Sequence, residues 1–474
     1  MITNGWVGGA EIDTEKRFSV INPATLETIA EVADLGASHT QDAVAAAKRA
    51  FTIWQNTPLQ QRIDTVLKWA EQIESHADEL GSIICLESGK PIAQAKGEAM
   101  QCAALLRWFA EQAIRLEDPV PPVGADTQHN FTIRQPVGVV ACITPWNFPA
   151  AAVAVKAGAA IVAGCSVVVK PSEETPLIAL ALAKLGVAAG LPSGVLNVVP
   201  CKDPSAVGDV LCQSEDVRML SFTGSIKIGK QLYTACGNTV KRLALELGGN
   251  APFILFDDAD LEIALDGAMG ARFYNSGQIC VGANRYYIHS SVYADFASRF
   301  AERVAKLRAG DGADADSDVG PMINRAAVER LNALIDNACA AGARVLAGGR
   351  QDDEESLFFA PTVLANMSPV MAARDAEIFG PIACLYEFTD EAEVLLQAND
   401  TEAGLSAYVY TRDRERLVRF ARGLEAGIVG ANSAMIFAND LPFGGIKQSG
   451  IGREHGADCL DEYTEVKSIC LGAS

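Results

Sequence analysis

The chain has 474 residues, enough for two or three domains that each bury a core. Its composition, 49% hydrophobic and 21% charged, is that of a globular enzyme, and a formal net charge of −20 with no compensating basic run argues against a nucleic-acid partner. Twelve cysteines without a Cys-x-x-Cys pair and five scattered histidines offer no metal-ligand spacing. The expectation is a cytoplasmic protein with mostly buried thiols, because residues 1–10 lack the basic head and apolar run of a signal peptide.

In chain order, helical periodicity covers residues 40–54, 60–76 and 96–115, and the breaker cluster Asp-Pro-Val-Pro-Pro-Val-Gly at 118–124 ends it. Residues 131–135 read as an extended excursion and 137–143 as a strand. From 150 to 169 only Lys156 is charged. That length permits a membrane span. The stretch is rich in Ala and Gly, breaks at Ala163-Gly164 and ends β-branched, which predicts instead a buried helix followed by a central parallel strand. A helix at 176–190, strands at 195–199 and 219–222, a helix at 226–235 and a strand at 241–247 follow. A second alternating region starts near Asn250, with elements at 252–256, 260–275, 285–289, 292–307, 326–341, 394–399 and 407–410. The tail at 461–471 reads as extended. The pattern predicts two α/β domains with mostly parallel sheets plus small extended segments.

The chemistry concentrates at strand and helix ends. Asn-Ser-Gly-Gln-Ile-Cys at 275–280 closes a helical stretch, so Cys280 stands at a helix-to-loop junction where a thiolate can attack a carbonyl carbon. One cysteine among twelve carries no such assignment by itself. Glu246, ahead of Leu247-Gly248-Gly249, ends a strand and faces the crevice where open α/β sheets bind ligands; it can activate water, although a lone Glu is more often a surface acid. Asn147, in Pro145-Trp146-Asn147-Phe148-Pro149, offers an amide N–H to an oxyanion; alone it reads more readily as a turn residue. Lys170-Pro171-Ser172-Glu173 leaves a strand end and suits ribose hydroxyls, its carboxylate repelling a 2′-phosphate. Thr223-Gly224-Ser225 opens a helix whose amides can meet a pyrophosphate, but no Gly-x-Gly-x-x-Gly fingerprint stands at a strand–helix junction.

Seven motifs in order, at 145–149, 170–173, 222–225, 246–249, 277–280, 377–381 and 442–445, make the chain resemble the aldehyde dehydrogenase superfamily nearly end to end. Residues 246–260 and 443–453 look most like its succinate-semialdehyde dehydrogenase branch. The resemblance implies an aldehyde dehydrogenase-like α/β fold. Its dinucleotide-binding domain would take residues 1–117 and 137–247, its catalytic domain 248–446, and its oligomerisation segments 118–136 and 447–474, giving a homodimer or homotetramer. It implies that Cys280 attacks the aldehyde, that Asn147 and the Cys280 backbone N–H hold the oxyanion, that hydride leaves to nicotinamide, and that Glu246 activates the water that hydrolyses the thioester to a free acid. The cofactor, NAD with NADP possible, would lie against Thr144, Pro145, Trp146, Lys170, Ser172, Glu173, Gly208, Phe222, Gly224, Ser225, Ile228, Leu247, Glu377 and Phe379. The aldehyde would lie against Phe148, Ala152, Val155, Tyr274, Ile279, Val281, Phe437 and Phe443.

The chain departs from that branch where members grip the substrate carboxylate with two arginines and a serine. Val155, Tyr274 and Phe437 stand at those positions. An unpartnered buried carboxylate is costly, so the expected substrate is an uncharged, aromatic or medium-chain aldehyde. The alternative is succinate semialdehyde held by another cation, Arg107 or Arg272. A cofactor-free cysteine hydrolase and a non-enzymatic relative are the readings from other classes. The first has no use for the nucleotide motifs, and the second would lack the nucleophile or the base.

Overall fold

In the computed structural model, which describes residues 1–116, 129–353 and 355–472, the chain builds two large, mostly parallel sheets whose edge pairs are antiparallel. The first has eight strands in the order Ala10–Ile12, Gly5–Val7, Leu196–Val198, Ser166–Lys170, Val139–Ile143, Val217–Gly224, Arg242–Leu247, Gly450–Ile451. The parallel winding starts at the central strand Val139–Ile143 and runs out to Ser166–Lys170 and Leu196–Val198. It then crosses back to lay Val217–Gly224 on the other side of the centre. The reversal opens a crevice at the carboxyl ends of these strands, where doubly wound sheets bind ligands. Register pairs Ile143 with both Lys170 and Phe222, and Glu246 with Thr223, so four motif-bearing strands end at one level.

The second sheet runs Arg344–Ala347, Thr362–Ala365, Ile382–Phe388, Ala283–His289, Ala251–Leu255, Ser406–Tyr410, Ile428–Ala431, parallel except at its first pair. Its strand Ala251–Leu255 follows Arg242–Leu247 of the first sheet after only Gly248-Gly249-Asn250. The carboxyl ends of one sheet therefore meet the amino ends of the other.

The apolar stretch behaves as its composition predicts. Helix Pro149–Val153, a π-helical turn Ala154–Gly158 and helix Ala159–Ala163 lead to the fully buried strand Ser166–Lys170. Its one charge, Lys156, is inside the protein, 2.6 Å from Glu454. No helix among the described residues is long and apolar enough to cross a membrane. Two helix N-termini start on proline with no local side-chain cap and borrow carboxylates from other helices. Glu98 accepts from the amides of Ala150 and Ala151, and Glu87 from those of Leu177 and Ile178.

Some elements differ from expectation. Helices Ala77–Ser88 and Pro204–Gln213 were not predicted. The first begins one residue past the preceding helix with no breaker between them. The second did carry a signal, Asp203 capping Ser205 N ahead of a proline. The breaker cluster at 118–124 lies outside the described residues. The tail expected as an oligomerisation segment from 447 divides. Gly450–Ile451 joins the first sheet, and Cys459, Leu460 and Tyr463 pack into that domain's core, because these apolar side chains find cover there. Only Thr464–Leu471 forms the separate two-stranded ribbon, antiparallel to His129–Pro136.

Candidate active site

The loop that carries Cys280 is over-determined. After helix Leu261–Phe273 the backbone turns left-handed at Asn275, Ser276 and Gly277. A Cβ on Gly277 would overlap the Gly380 carbonyl, so only glycine lets the loop lie against that backbone. Arg272 is fully buried and donates to the carbonyls of Gly277 (2.6 Å) and Ala283 (3.0 Å) and to Asn284 Oδ1 (2.7 Å). The Ser406 and Tyr408 hydroxyls both donate to Val281 O. Cys280 is half-buried, whereas nine of the other thiols are fully buried and only Cys339 and Cys470 are exposed. Burial pushes its thiol pKa up, and the nearby Glu246 and Glu377 carboxylates push it further.

A cavity of about 810 Å³ opens over Cys280. Glu246 and Asn147 line it, as do all eight residues expected against the aldehyde: Phe148, Ala152, Val155, Tyr274, Ile279, Val281, Phe437 and Phe443. Glu246 is buried and neither carboxylate oxygen has a hydrogen-bond partner. Its pKa stands well above the usual carboxylate range, first through burial and then through Glu454, with Lys156 and Arg453 opposing. A carboxyl held this way is a stronger base than an exposed carboxylate. Asn147 Nδ2 donates to Gln278 O at 2.9 Å, which fixes the amide beside the nucleophile's loop.

The walls are aromatic. Phe148 and Tyr274 lie nearly parallel, 6.2 Å apart at 8°, and Phe437 stacks on Phe443 at 5.2 Å and 16°. Phe148 is held from behind by the Lys90 ammonium, 3.8 Å above its ring and ion-paired with Glu98. Among the described lining residues there is no lysine or arginine, while Glu246, Asp266, Glu377 and Glu454 all contribute carboxylates. Neither arginine considered as a substrate anchor reaches the space. Arg272 clamps the loop as above, and Arg107 pairs with Glu74 outside the cavity. Both guanidiniums already have anionic or carbonyl partners that a substrate would have to displace.

The cofactor set falls into two groups. Pro145, Trp146, Gly224, Ser225, Leu247, Glu377 and Phe379 line the same cavity, whereas Thr144, Lys170, Ser172, Glu173, Gly208, Phe222 and Ile228 do not. Lys170 and Glu173 pair at 3.3 Å at their strand end, and Thr144 N donates to Lys170 O. Gly208 sits on helix Pro204–Gln213, and Phe222 is a buried core residue. Ser225 caps helix Ile226–Cys236 by accepting from Ile228 N, leaving that helix's first amides at the crevice. Glu377 is held near a pKa of about 7 by burial and accepts only from Gly249 N, at 3.2 Å. A Cβ on Gly248 would overlap that carboxylate and force it to shift. Phe379, left-handed at φ 46°, meets Trp146 edge-on at 5.5 Å. A buried carboxylate short of donors, a helix N-terminus and an aromatic edge fit a nicotinamide dinucleotide.

A family model described as the aldehyde dehydrogenase family matches residues 9–469. The chain belongs to the aldehyde dehydrogenase family. It is 45% identical over 457 residues to a probable succinate-semialdehyde dehydrogenase [NADP(+)] of Sinorhizobium fredii, covering 96% of this chain and 93% of that one. To the succinate-semialdehyde dehydrogenase [NADP(+)] of Escherichia coli K12 it is 44% identical, covering 100% and 97%. The crystal structure of an E. coli NADP-dependent enzyme superposes with a TM-score of 0.96 at 44% identity, covering 99% and 98%. The protein is thus an aldehyde dehydrogenase, an oxidoreductase that uses NAD(P).

Sequence reading passed over several residues of this dehydrogenase's cavity. Glu454 lines it near Glu246, and behind that lining the buried Lys156 pairs with Glu454. His455 and Met435 also line the space. Met435, a large apolar side chain, is left 88% exposed there, which no sequence pattern signals.

Proposed function

We propose that this aldehyde dehydrogenase oxidises a neutral aromatic aldehyde to the free acid. The observation that carries the reading is a cavity walled by two aromatic stacks and four carboxylates with no lysine or arginine among its described lining residues. A substrate carboxylate there would lose its water without gaining a counter-ion.

The assigned steps fall to three side chains. Glu246, its pKa raised by burial, takes the Cys280 proton, and the thiolate attacks the carbonyl carbon. The Asn147 amide, together with the Cys280 backbone N–H, steadies the resulting oxyanion. Trp146, Glu377 and Phe379 would hold the nicotinamide, which when bound would supply the two-electron acceptor. Once it has passed that first proton to bulk solvent, Glu246 draws a proton from water, which attacks the thioester carbonyl; collapse breaks the C–S bond, releases the acid and returns that second proton to the Cys280 sulfur. Glu173 favours NAD over NADP, against the NADP in the relatives' names. The ribbon of His129–Pro136 and Thr464–Leu471 offers strand edges for a homodimer or homotetramer.

The second reading, succinate semialdehyde, is favoured by what the relatives are called. Following absorbance at 340 nm with NAD or NADP and no coenzyme A decides between them. Benzaldehyde is expected to give the higher kcat/KM, and a tenfold or greater advantage for succinate semialdehyde would overturn the proposal.

A further inference from the structure

The Asn147 side-chain nitrogen carries two hydrogens. One goes to Gln278 O at 2.9 Å, which leaves the other for an oxyanion. The direction of that second hydrogen is set by where Asn147 and Gln278 O stand relative to each other. Asn275 ties the two together. Its own side-chain nitrogen donates to Asn147 O at 3.0 Å and to Gln278 O at 3.2 Å. Asn147 follows the central strand of the first sheet, and Gln278 belongs to the Cys280 loop that leads into the second. The Asn275 amide therefore bridges the segment that carries the oxyanion donor and the segment that carries the nucleophile. The backbone of Asn275 holds its place by other means. Asn275 N donates to Gln94 Oε1 at 2.9 Å, and Gln278 N donates to Asn275 O at 2.9 Å. Beside it, Ser276 Oγ donates to Gly320 O at 2.9 Å. The residue is buried and left-handed, φ 49°. Glycine takes that conformation without strain, as Gly277 does two residues on. Asparagine tolerates it and adds an amide.

We propose that Asn275 is a positioning residue for the oxyanion. It acts through Asn147, locking that residue to the Cys280 loop so that the remaining amide hydrogen points at the carbonyl oxygen of an aldehyde under attack by Cys280. The proposal rests on the reading of Asn147 as the oxyanion donor and names what aims it. A donor fixed in advance stabilises developing charge without reorganising at the moment of reaction, so loss of the lock should appear in rate.

The test is a double-mutant cycle on the rate of the first turnover at saturating cofactor. It is read as nicotinamide reduction at 340 nm with whichever of benzaldehyde and succinate semialdehyde is oxidised faster. Asn147→Ala should lower that rate by about 10²–10³-fold, as loss of an oxyanion donor does. Asn275→Gly removes the amide and keeps the left-handed backbone, and should lower it by about ten- to a hundredfold. In the Asn147→Ala background the same change should cost less than about twofold, because the amide that Asn275 aims is gone. A loss that came only from a loosened loop would recur at full size in both backgrounds. Alkylation of Cys280 by iodoacetamide, followed by mass spectrometry of its peptide, builds no oxyanion and should keep its rate within about twofold in Asn275→Gly. A loss below about threefold in Asn275→Gly, an equal loss in both backgrounds, or alkylation slowed as much as turnover overturns the role of Asn275 and leaves that of Asn147 standing. If Asn147→Ala itself loses less than about threefold, the oxyanion reading falls, and this inference with it.

Discussion

Tyr274→Arg puts the apolar-pocket argument to a direct test. Tyr274 is 39% exposed at the cavity mouth and faces Phe148 across 6.2 Å. An arginine fits a similar volume and keeps its guanidinium partly hydrated, so it brings a cation to the cavity without burying one unpaired. A carboxylate about 4 Å away gains roughly 4 kcal/mol of Coulomb attraction at an effective dielectric near 20. After desolvation and side-chain ordering, a charge-assisted pair is worth about 1.5–3 kcal/mol. Loss of the stack with Phe148 costs an aromatic substrate roughly 0.5–1.5 kcal/mol. The two effects add in the ratio of kcat/KM for succinate semialdehyde over benzaldehyde. That ratio should rise by about 2–4.5 kcal/mol, or roughly 30- to 2,000-fold. Initial rates at 340 nm with saturating cofactor measure it. A ratio that moves less than about threefold means that substrate charge is not read at this wall, and the reasoning from missing cations fails.

The remaining expectations concern the base, the cofactor and the fold. Glu246 must lose its proton to activate water, so activity falls as pH drops through its raised pKa. Glu454 raises that pKa and Lys156 lowers it, so Glu454→Gln should move the acid limb of the pH–rate profile to lower pH and Lys156→Met to higher pH. Shifts of the same sign would contradict the electrostatic account. Gly248→Ala drives a methyl into the Glu377 carboxylate; calorimetric titration should show weaker NAD binding with the melting temperature nearly unchanged. Glu98→Ala strips Lys90 of its counter-ion and two helix amides of their acceptor. The loss is expected at about 3–5 kcal/mol, read as a lower melting temperature, and Glu98→Gln should recover part of it.

Much of the cavity was legible from residue type and order because its chemistry sits where strands and helices end, and ends carry turn signals. Cys280, Glu246 and Asn147 arrive in one space because Glu246–Asn250 joins the two sheets and Pro145–Pro149 leaves the central strand. All eight pocket residues lie together for the same reason. What stayed hidden depends on contacts far apart in the chain. Glu98 caps a helix 52 residues away and Lys156 pairs with Glu454 across 298, and no periodicity reports either. Residues 447–474 were expected as one oligomerisation segment, yet Gly450 pairs into the first sheet and Tyr463 packs in the core beneath it. Only the position of the core, which the chain's own order does not encode, separates those residues from the ribbon that follows.

The short join at Gly248-Gly249-Asn250 has a mechanical consequence. Glu246 rides on the last parallel strand of one sheet, while Cys280 leads into the strand Ala283–His289 of the other. Glu246 and Cys280 are therefore mounted on different sheets coupled by a link of three residues, at most about 11 Å when fully drawn out. A link so short acts as a gear. Any rotation of one sheet against the other is transmitted, nearly without slack, into the distance between Glu246 and Cys280. Substitutions far from the cavity that alter how the two sheets seat should thus surface as changes in rate before they surface as changes in affinity.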